Sequence, residues 1–157
     1  VERISDAGPP SGWRRALARA PIVLYRRGFG GLLGRRLMYL VHTGRRSGRR
    51  REVVLEVVTR DAGSITACSG FGTKAAWYRN VLENPSVKIQ NGRLYTSATA
   101  VPLDVHTGVE LMSEYAGKYP KLATRLARVM GYRVDGGDDD FRALGREVRF
   151  VRFDHTA

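Results

Sequence analysis

Through the middle of the chain apolar residues recur at every second position, the period of a strand with one buried face. Residues 37–43 form a short apolar run closed by the turn-forming segment 44–48, and residues 51–59 are its expected antiparallel partner. In that partner Val53, Leu55 and Val57 fall on one face, while Glu56 falls among Val54 and Val58 on the other. A third strand, 64–68, follows the Asp61-Ala62-Gly63 turn. Residues 86–90 and 93–101 predict a hairpin around Asn91-Gly92, a dipeptide suited to a tight strand connection. A last strand, 147–153, alternates charged and apolar residues and is expected to close the sheet edge.

The remaining segments have helical or turn character. Residues 1–12, with Gly8, Pro9, Pro10 and Gly12, read as an unstructured lead-in. From 13 to 20 the pattern is helical, with Trp13, Leu17 and Ala20 on one side, until Pro21 interrupts it. The stretch 21–40 mixes apolar residues, arginines and glycines, and suits a short helix plugging a barrel end or an interfacial segment. A helix is expected from about 74 to 83, capped by Thr73 and stopped at Asn84-Pro85. Residues 107–119 and 120–130 predict two more, and the acidic, glycine-rich 135–140 a loop. Six short strands with helices at the ends predict an α+β fold built on a small, mainly antiparallel barrel, because closure removes exposed edges. The 157 residues suit one domain, 1–157, with 1–20 a flexible or amphipathic lead.

Charge narrows the partners. The formal net charge is +12, and 23 of the 27 basic residues are arginine, which points to phosphate, carboxylate or anionic lipid. An arginine excess also follows from GC-rich coding. The single cysteine, Cys68, excludes an intrachain disulfide and a cysteine-based metal site, and fits a reducing, cytoplasmic location. His42, His106 and His155 have no ligand-spaced partners, so no metal is expected. No apolar run approaches a membrane span, but the basic segment 13–40 suggests peripheral contact with an anionic membrane face.

Two segments carry candidate chemistry. The turn from His42 to Arg51 holds five arginines between two strands, and successive backbone N–H groups there make a concave anion nest. A solvated hairpin tip is the plainer alternative. Ser69-Gly70-Phe71-Gly72-Thr73-Lys74 runs from a strand into a helix; its glycines let backbone approach a flat or charged ligand. The helix continues with Trp77-Tyr78-Arg79-Asn80, whose rings are either core or a wall for a ring system. The segment lacks the spacing of a nucleoside-triphosphate loop and of the dinucleotide fingerprint.

Taken together, HTGRRSGRRREVVLEVV, the SGFG loop with AAWYRN behind it, and the NP-x-V-x-I-x-N-G hairpin resemble the deazaflavin-dependent nitroreductase family of actinobacteria. The likeness covers about residues 21–103. It implies a split β-barrel related to flavin reductases that uses coenzyme F-420, a 5-deazaflavin, in preference to FMN. By this resemblance Arg45, Arg46, Ser47 and Arg51 bind the coenzyme's phosphate and glutamyl tail. Ser69, Gly70, Phe71, Gly72, Lys74, Trp77 and Asn80 hold its ring and ribityl arm. The chain departs from the family pattern at Arg46, where a lysine is usual, and at Val53-Val54, where an asparagine-proline pair is usual. Glu56 stands where a tyrosine lines the acceptor site. These departures bear on the acceptor, and the VLEVV version is closer to a sister subgroup linked to fatty acids or other lipids.

The expected activity is hydride transfer from reduced F-420 to a hydrophobic organic acceptor such as a quinone, a nitro compound or an unsaturated lipid. Glu56 and Tyr132 are the candidate acceptor-side residues, and a buried glutamate with a raised pKa would serve as proton donor. A non-catalytic lipid or anion carrier on the same barrel is the alternative. A specific nucleic-acid partner is not expected, since no aromatic-studded basic strand is present; a homodimer is compatible with the sequence.

Overall fold

The computed structural model describes residues 1–4 and 20–156. Strands β1 (Glu2–Arg3) and β7 (Tyr132–Arg133) form a small separate pair. The other six strands, β2 (Leu37–Thr43), β3 (Arg50–Arg60), β4 (Ser64–Ser69), β5 (Ser86–Asn91), β6 (Leu94–Pro102) and β8 (Arg149–Thr156), close into a barrel in the order β2-β3-β4-β8-β6-β5. Every neighbouring pair is antiparallel. This is the small antiparallel barrel that the alternating pattern predicts, and the split β-barrel that the family resemblance implies.

The period of two sorts side chains between two cores. Met38, Leu40, Leu55, Ile65, Ile89, Val151 and Phe153 point inward and are buried together. Helix α2 (Ala76–Glu83) adds Trp77, Tyr78 and Val81 to that core, so it closes the barrel from one end. On the outer face Val58 and Phe150 pack against α3 (Val105–Lys118), α4 (Pro120–Val129) and α5 (Asp138–Glu147) through Met112, Tyr115, Ala123, Ala127, Phe141 and Leu144. A third cluster joins the helical residues 20–26, here α1, to the barrel: Ile22 and Tyr25 pack on Tyr39, the two tyrosine rings stacked at 5.1 Å. Glu52, on the same outer face, accepts hydrogen bonds from Arg26 and from the Tyr39 hydroxyl and pairs with Arg50 at 3.2 Å.

Several boundaries differ from the sequence reading, each for a local reason. Glu2–Arg3 pairs with β7 instead of being unstructured, while residues 5–19, with most of the expected 13–20 helix, lie outside the described residues. Pro21 sits inside a helical stretch, as its fixed φ allows. Thr73 caps nothing: Gly72–Lys74 is a 3-10 turn and Ala75 is the N-cap of α2, without a side-chain hydrogen bond. Asn91 pairs with Leu94, which makes Gly92-Arg93 the centre of the hairpin turn, with Gly92 at φ +59°. Helix α3 begins at Val105, two residues early, because the Asp104 carboxylate accepts the Thr107 N–H at 2.9 Å. The expected 135–140 loop gives way to α5 from Asp138, whose first-turn carboxylates suit the positive end of a helix.

Helices α3 and α5 touch nearly backbone to backbone. A Cβ at Gly145 would lie 2.8 Å from the Val109 Cα, whereas one at Gly117, on the exposed face of α3, would meet nothing within 4 Å. Gly145→Ala is therefore expected to lower stability by about 1–3 kcal/mol, and Gly117→Ala to raise it by up to about 1 kcal/mol. Urea midpoints of the two variants check this, and equal effects would contradict the close crossing.

Candidate coenzyme site

The arginine turn is shaped before its side chains matter. Between the Thr43↔Arg50 pair, Gly44 donates to the Arg49 carbonyl at 2.8 Å and Gly48 to the Gly44 carbonyl at 2.9 Å, with Gly48 at φ +65°. The Ser47 hydroxyl accepts the Arg49 N–H at 3.2 Å. Of the five arginines, Arg50 pairs with Glu52, and among the described residues no acid pairs with Arg45, Arg46, Arg49 or Arg51. The Arg45 pKa is lowered by burial and by the charges of Arg79 and Arg46. Glu83 opposes these effects only in part, and a turn so rich in cations and poor in acids suits an anion from outside.

Asn80 ties this turn to α2. Its Oδ1 accepts the Arg45 backbone N–H at 3.1 Å and the Arg45 Nη1 at 3.0 Å, and its Nδ2 lies 3.2 Å from His42 Nδ1. The glycine loop enters the same helix from the other side. The buried Ser69 hydroxyl donates to the Gly72 carbonyl at 2.8 Å, Lys74 N–H donates to Phe71 at 3.1 Å, and Gly72 takes φ +55°. A Cβ on Gly70 would overlap the Met130 side chain.

The site residues named from the sequence divide accordingly. Arg46, Ser47, Arg51 and Lys74 are exposed, and Gly70 and Phe71 are half-buried at the loop. Trp77 is only 8% exposed, its ring set against Tyr78 and Phe153, so it is a core residue that supports the loop from below. Ser69 and Asn80 spend their polar atoms inside the protein. Tyr132 is buried in the helix-side core and does not itself line Glu56's groove.

Glu56 departs from the expected buried proton donor. It lies half-buried on the outer barrel face, accepts from the Tyr115 hydroxyl at 3.0 Å and pairs with Arg36 at 3.5 Å; both partners are donors. Burial first and the Glu56 charge second raise the Tyr115 pKa. Glu56 and Arg36 line a groove of about 340 Å³ with Leu33, Leu37, Leu122, Arg125, Leu126 and Val129. Sequence reasoning missed Tyr115, Arg36 and the groove, because Glu56 and Tyr115 are 59 positions apart and no local pattern links them. Among the described residues no cluster suits a metal ion, and no helix is long and apolar enough to cross a membrane.

The model of the F420-H(2)-dependent quinone reductase family matches residues 17–134, a span that includes the arginine turn, the glycine loop and α2. The chain belongs to this family. As a member it is an F-420-dependent oxidoreductase, with coenzyme F-420 as its cofactor. No curated protein sequence matches the chain. A solved structure described as an F420-H2 dependent reductase (FDR-A) is 23% identical, with a TM-score of 0.52 over 77% of this chain and 96% of that one. Another, described as a domain-swapped dimer, is 20% identical, with a TM-score of 0.52 over 86% and 100%. HutZ, a heme storage protein from Vibrio cholerae, is 13% identical, with a TM-score of 0.53 over 85% and 91%. These likenesses show the shared fold. The residues present fit the anionic parts of such a coenzyme at the arginine turn, where Arg46 and Arg51 are exposed and have no acid paired with them among the described residues; at the glycine loop the places of the missing side chains of Gly70 and Gly72 are taken by Met130 and the Glu147 carbonyl, so those glycines serve the loop's own packing.

Cys68 is half-buried among the helix-side residues, where desolvation first and the Glu56 charge second push its thiol up to about 12. In the native protein at pH 8, Cys68 is expected to react with a thiol reagent on the order of 10³-fold more slowly than an ordinary thiol. Reaction at the ordinary rate before unfolding would contradict the raised pKa.

Proposed function

We propose that this reductase passes a hydride from reduced F-420 to a hydrophobic acceptor, a quinone first, with nitro compounds and unsaturated lipids as the other classes. Bound F-420 supplies the hydride, and the acceptor takes it together with a proton from solvent. The observation that carries this reading is the Arg45–Asn80 clasp, which brings the arginine turn and the helix behind the glycine loop into one assembly. In it Arg46, Ser47 and Arg51 hold the phosphate and glutamyl tail, while the backbone from Gly70 to Gly72, with Phe71 and Lys74, lies against the ring and its arm. Trp77, Ser69 and Asn80 keep that surface rigid from inside.

The apolar groove beside Glu56 is the place for the acceptor. Val129 lines it, and the next residue, Met130, lies over Gly70, so the groove and the glycine loop flank the same end of α4. Glu56, held by Tyr115 and Arg36, gives the groove a polar floor that orients a carbonyl or hydroxyl edge through the neighbouring donors. Tyr132 acts by packing beneath this region.

A lipophilic acceptor resides in a membrane, and the surface around α1 suits contact with one. Phe29 is 53% and Leu32 81% exposed, next to exposed Val23 and Leu24 and amid Arg26, Arg27, Arg35 and Arg36. The combined Phe29→Glu and Leu32→Glu variant is expected to leave anionic vesicles that the parent protein binds, in a flotation assay. Equal binding by both would remove this contact.

The coenzyme reading is tested by titrating the protein with oxidised F-420 and following ring fluorescence. Arg46→Glu and Arg51→Glu are each expected to weaken binding by at least tenfold, as loss of a hydrogen bond to a charged group costs about 1.5–3 kcal/mol. Binding should also fall as salt rises. Folded protein that shows no fluorescence change, and that carries an acyl chain in native mass spectrometry, would favour the non-catalytic carrier.

A further inference from the structure

His42 and Asn80 are both buried, each 5% exposed. Asn80 faces Arg45 on one side and His42 on the other. Arg45 offers that side only donors, its backbone N–H and its guanidinium, so the Asn80 carbonyl oxygen must turn toward it. The Asn80 NH2 group is then left pointing at His42 Nδ1, 3.2 Å away. For that contact to be a hydrogen bond, Nδ1 must carry a lone pair, and the ring proton must sit on Nε2.

No other arrangement satisfies all three residues. A proton on Nδ1 would set one donor against another. Rotating the amide to relieve it would place the NH2 group against Arg45, where two donors already wait. Neutral His42 agrees with its setting: burial and then the charge of Arg51, its cross-strand partner, lower its pKa to about 4. The other charged group at the network is Arg45 itself.

We propose that His42 and Asn80 are positioning residues of the coenzyme site. The Nδ1 lone pair of His42 fixes the Asn80 amide, Asn80 fixes the backbone and guanidinium of Arg45, and the turn is thereby held so that Arg46, Ser47 and Arg51 face outward as one anion-binding surface. This inference rests on the coenzyme reading above for its consequence. Its structural core is a property of the free protein.

Two measurements test it. In ligand-free protein labelled with 15N in its histidines, His42 should show an unprotonated Nδ1 and a protonated Nε2 at pH 7; the opposite tautomer would overturn the inference. In F-420 titrations, His42→Leu, which removes the acceptor, should weaken coenzyme binding by up to about tenfold, the upper end for one hydrogen bond between neutral groups. Turnover at saturating coenzyme should change less than about threefold, because no reacting atom is touched. His42→Asn, which can set Oδ1 where Nδ1 stood, should restore most of the affinity. Thermal unfolding confirms that both variants are folded, and Asn80→Leu, expected to match His42→Leu, stands in if one is not. Equal affinities for His42→Leu, His42→Asn and the parent would overturn the positioning role. Should the parent itself fail to bind F-420, the coenzyme reading falls, and the tautomer alone then decides whether His42 orients Asn80.

Discussion

The short helix α2, lodged in the end of the barrel, is the constraint on which the rest of the structure depends. Three of its side chains, Trp77, Tyr78 and Val81, complete the barrel core, which fixes the helix against rotation and sliding. Because a helix turns about 100° per residue, fixing those three also fixes where Asn80 points. Packing in an apolar interior thus decides the placement of a polar atom at the rim. The glycine loop leads directly into this helix, and the arginine turn hangs from it by Arg45, so one packing event sets both segments of the candidate site.

The charge distribution complements that mechanical arrangement. Where the protein needs a basic residue for its own architecture, it supplies an acid: Arg26 and Arg50 share Glu52, Arg142 meets Glu110 and Arg152 meets Asp154. At the tip of the β2–β3 turn this pairing stops. The contrast makes the tip a region whose electrostatic free energy is improved by an incoming anion and not by folding itself. It also explains why a positive surface and an orderly fold coexist in one small chain.

The barrel was legible because burial on one face leaves a period of two in the strands, and Leu37 to Thr43, with its partner strand, carries it clearly. The arginine turn and the glycine loop were legible as candidate sites because their composition is unusual over a few residues. What stayed hidden depended on distant partners. Trp77 reads equally as a ring platform or a core residue until Phe153 is seen beside it. Asn80 reads as a ligand contact until Arg45 and His42 claim both ends of its amide. Glu56 reads as a lone acid until Arg36 and Tyr115 approach from other elements. Helix α5 was masked by its own N-terminus, since Asp138, Asp139 and Asp140 are loop-like in composition yet favourable where free N–H groups gather.

The order in which the barrel closes has a consequence for biosynthesis. Strand β8 lies between β4 and β6 and follows α5 in the chain. During translation the first five barrel strands emerge with the edges of β4 and β6 bare, and both stay so until Arg149 to Thr156 has left the ribosome. Open edges of that kind recruit foreign strands. The nascent polypeptide therefore passes through its most adhesive state just before β8 emerges, when a holding chaperone has the most to protect.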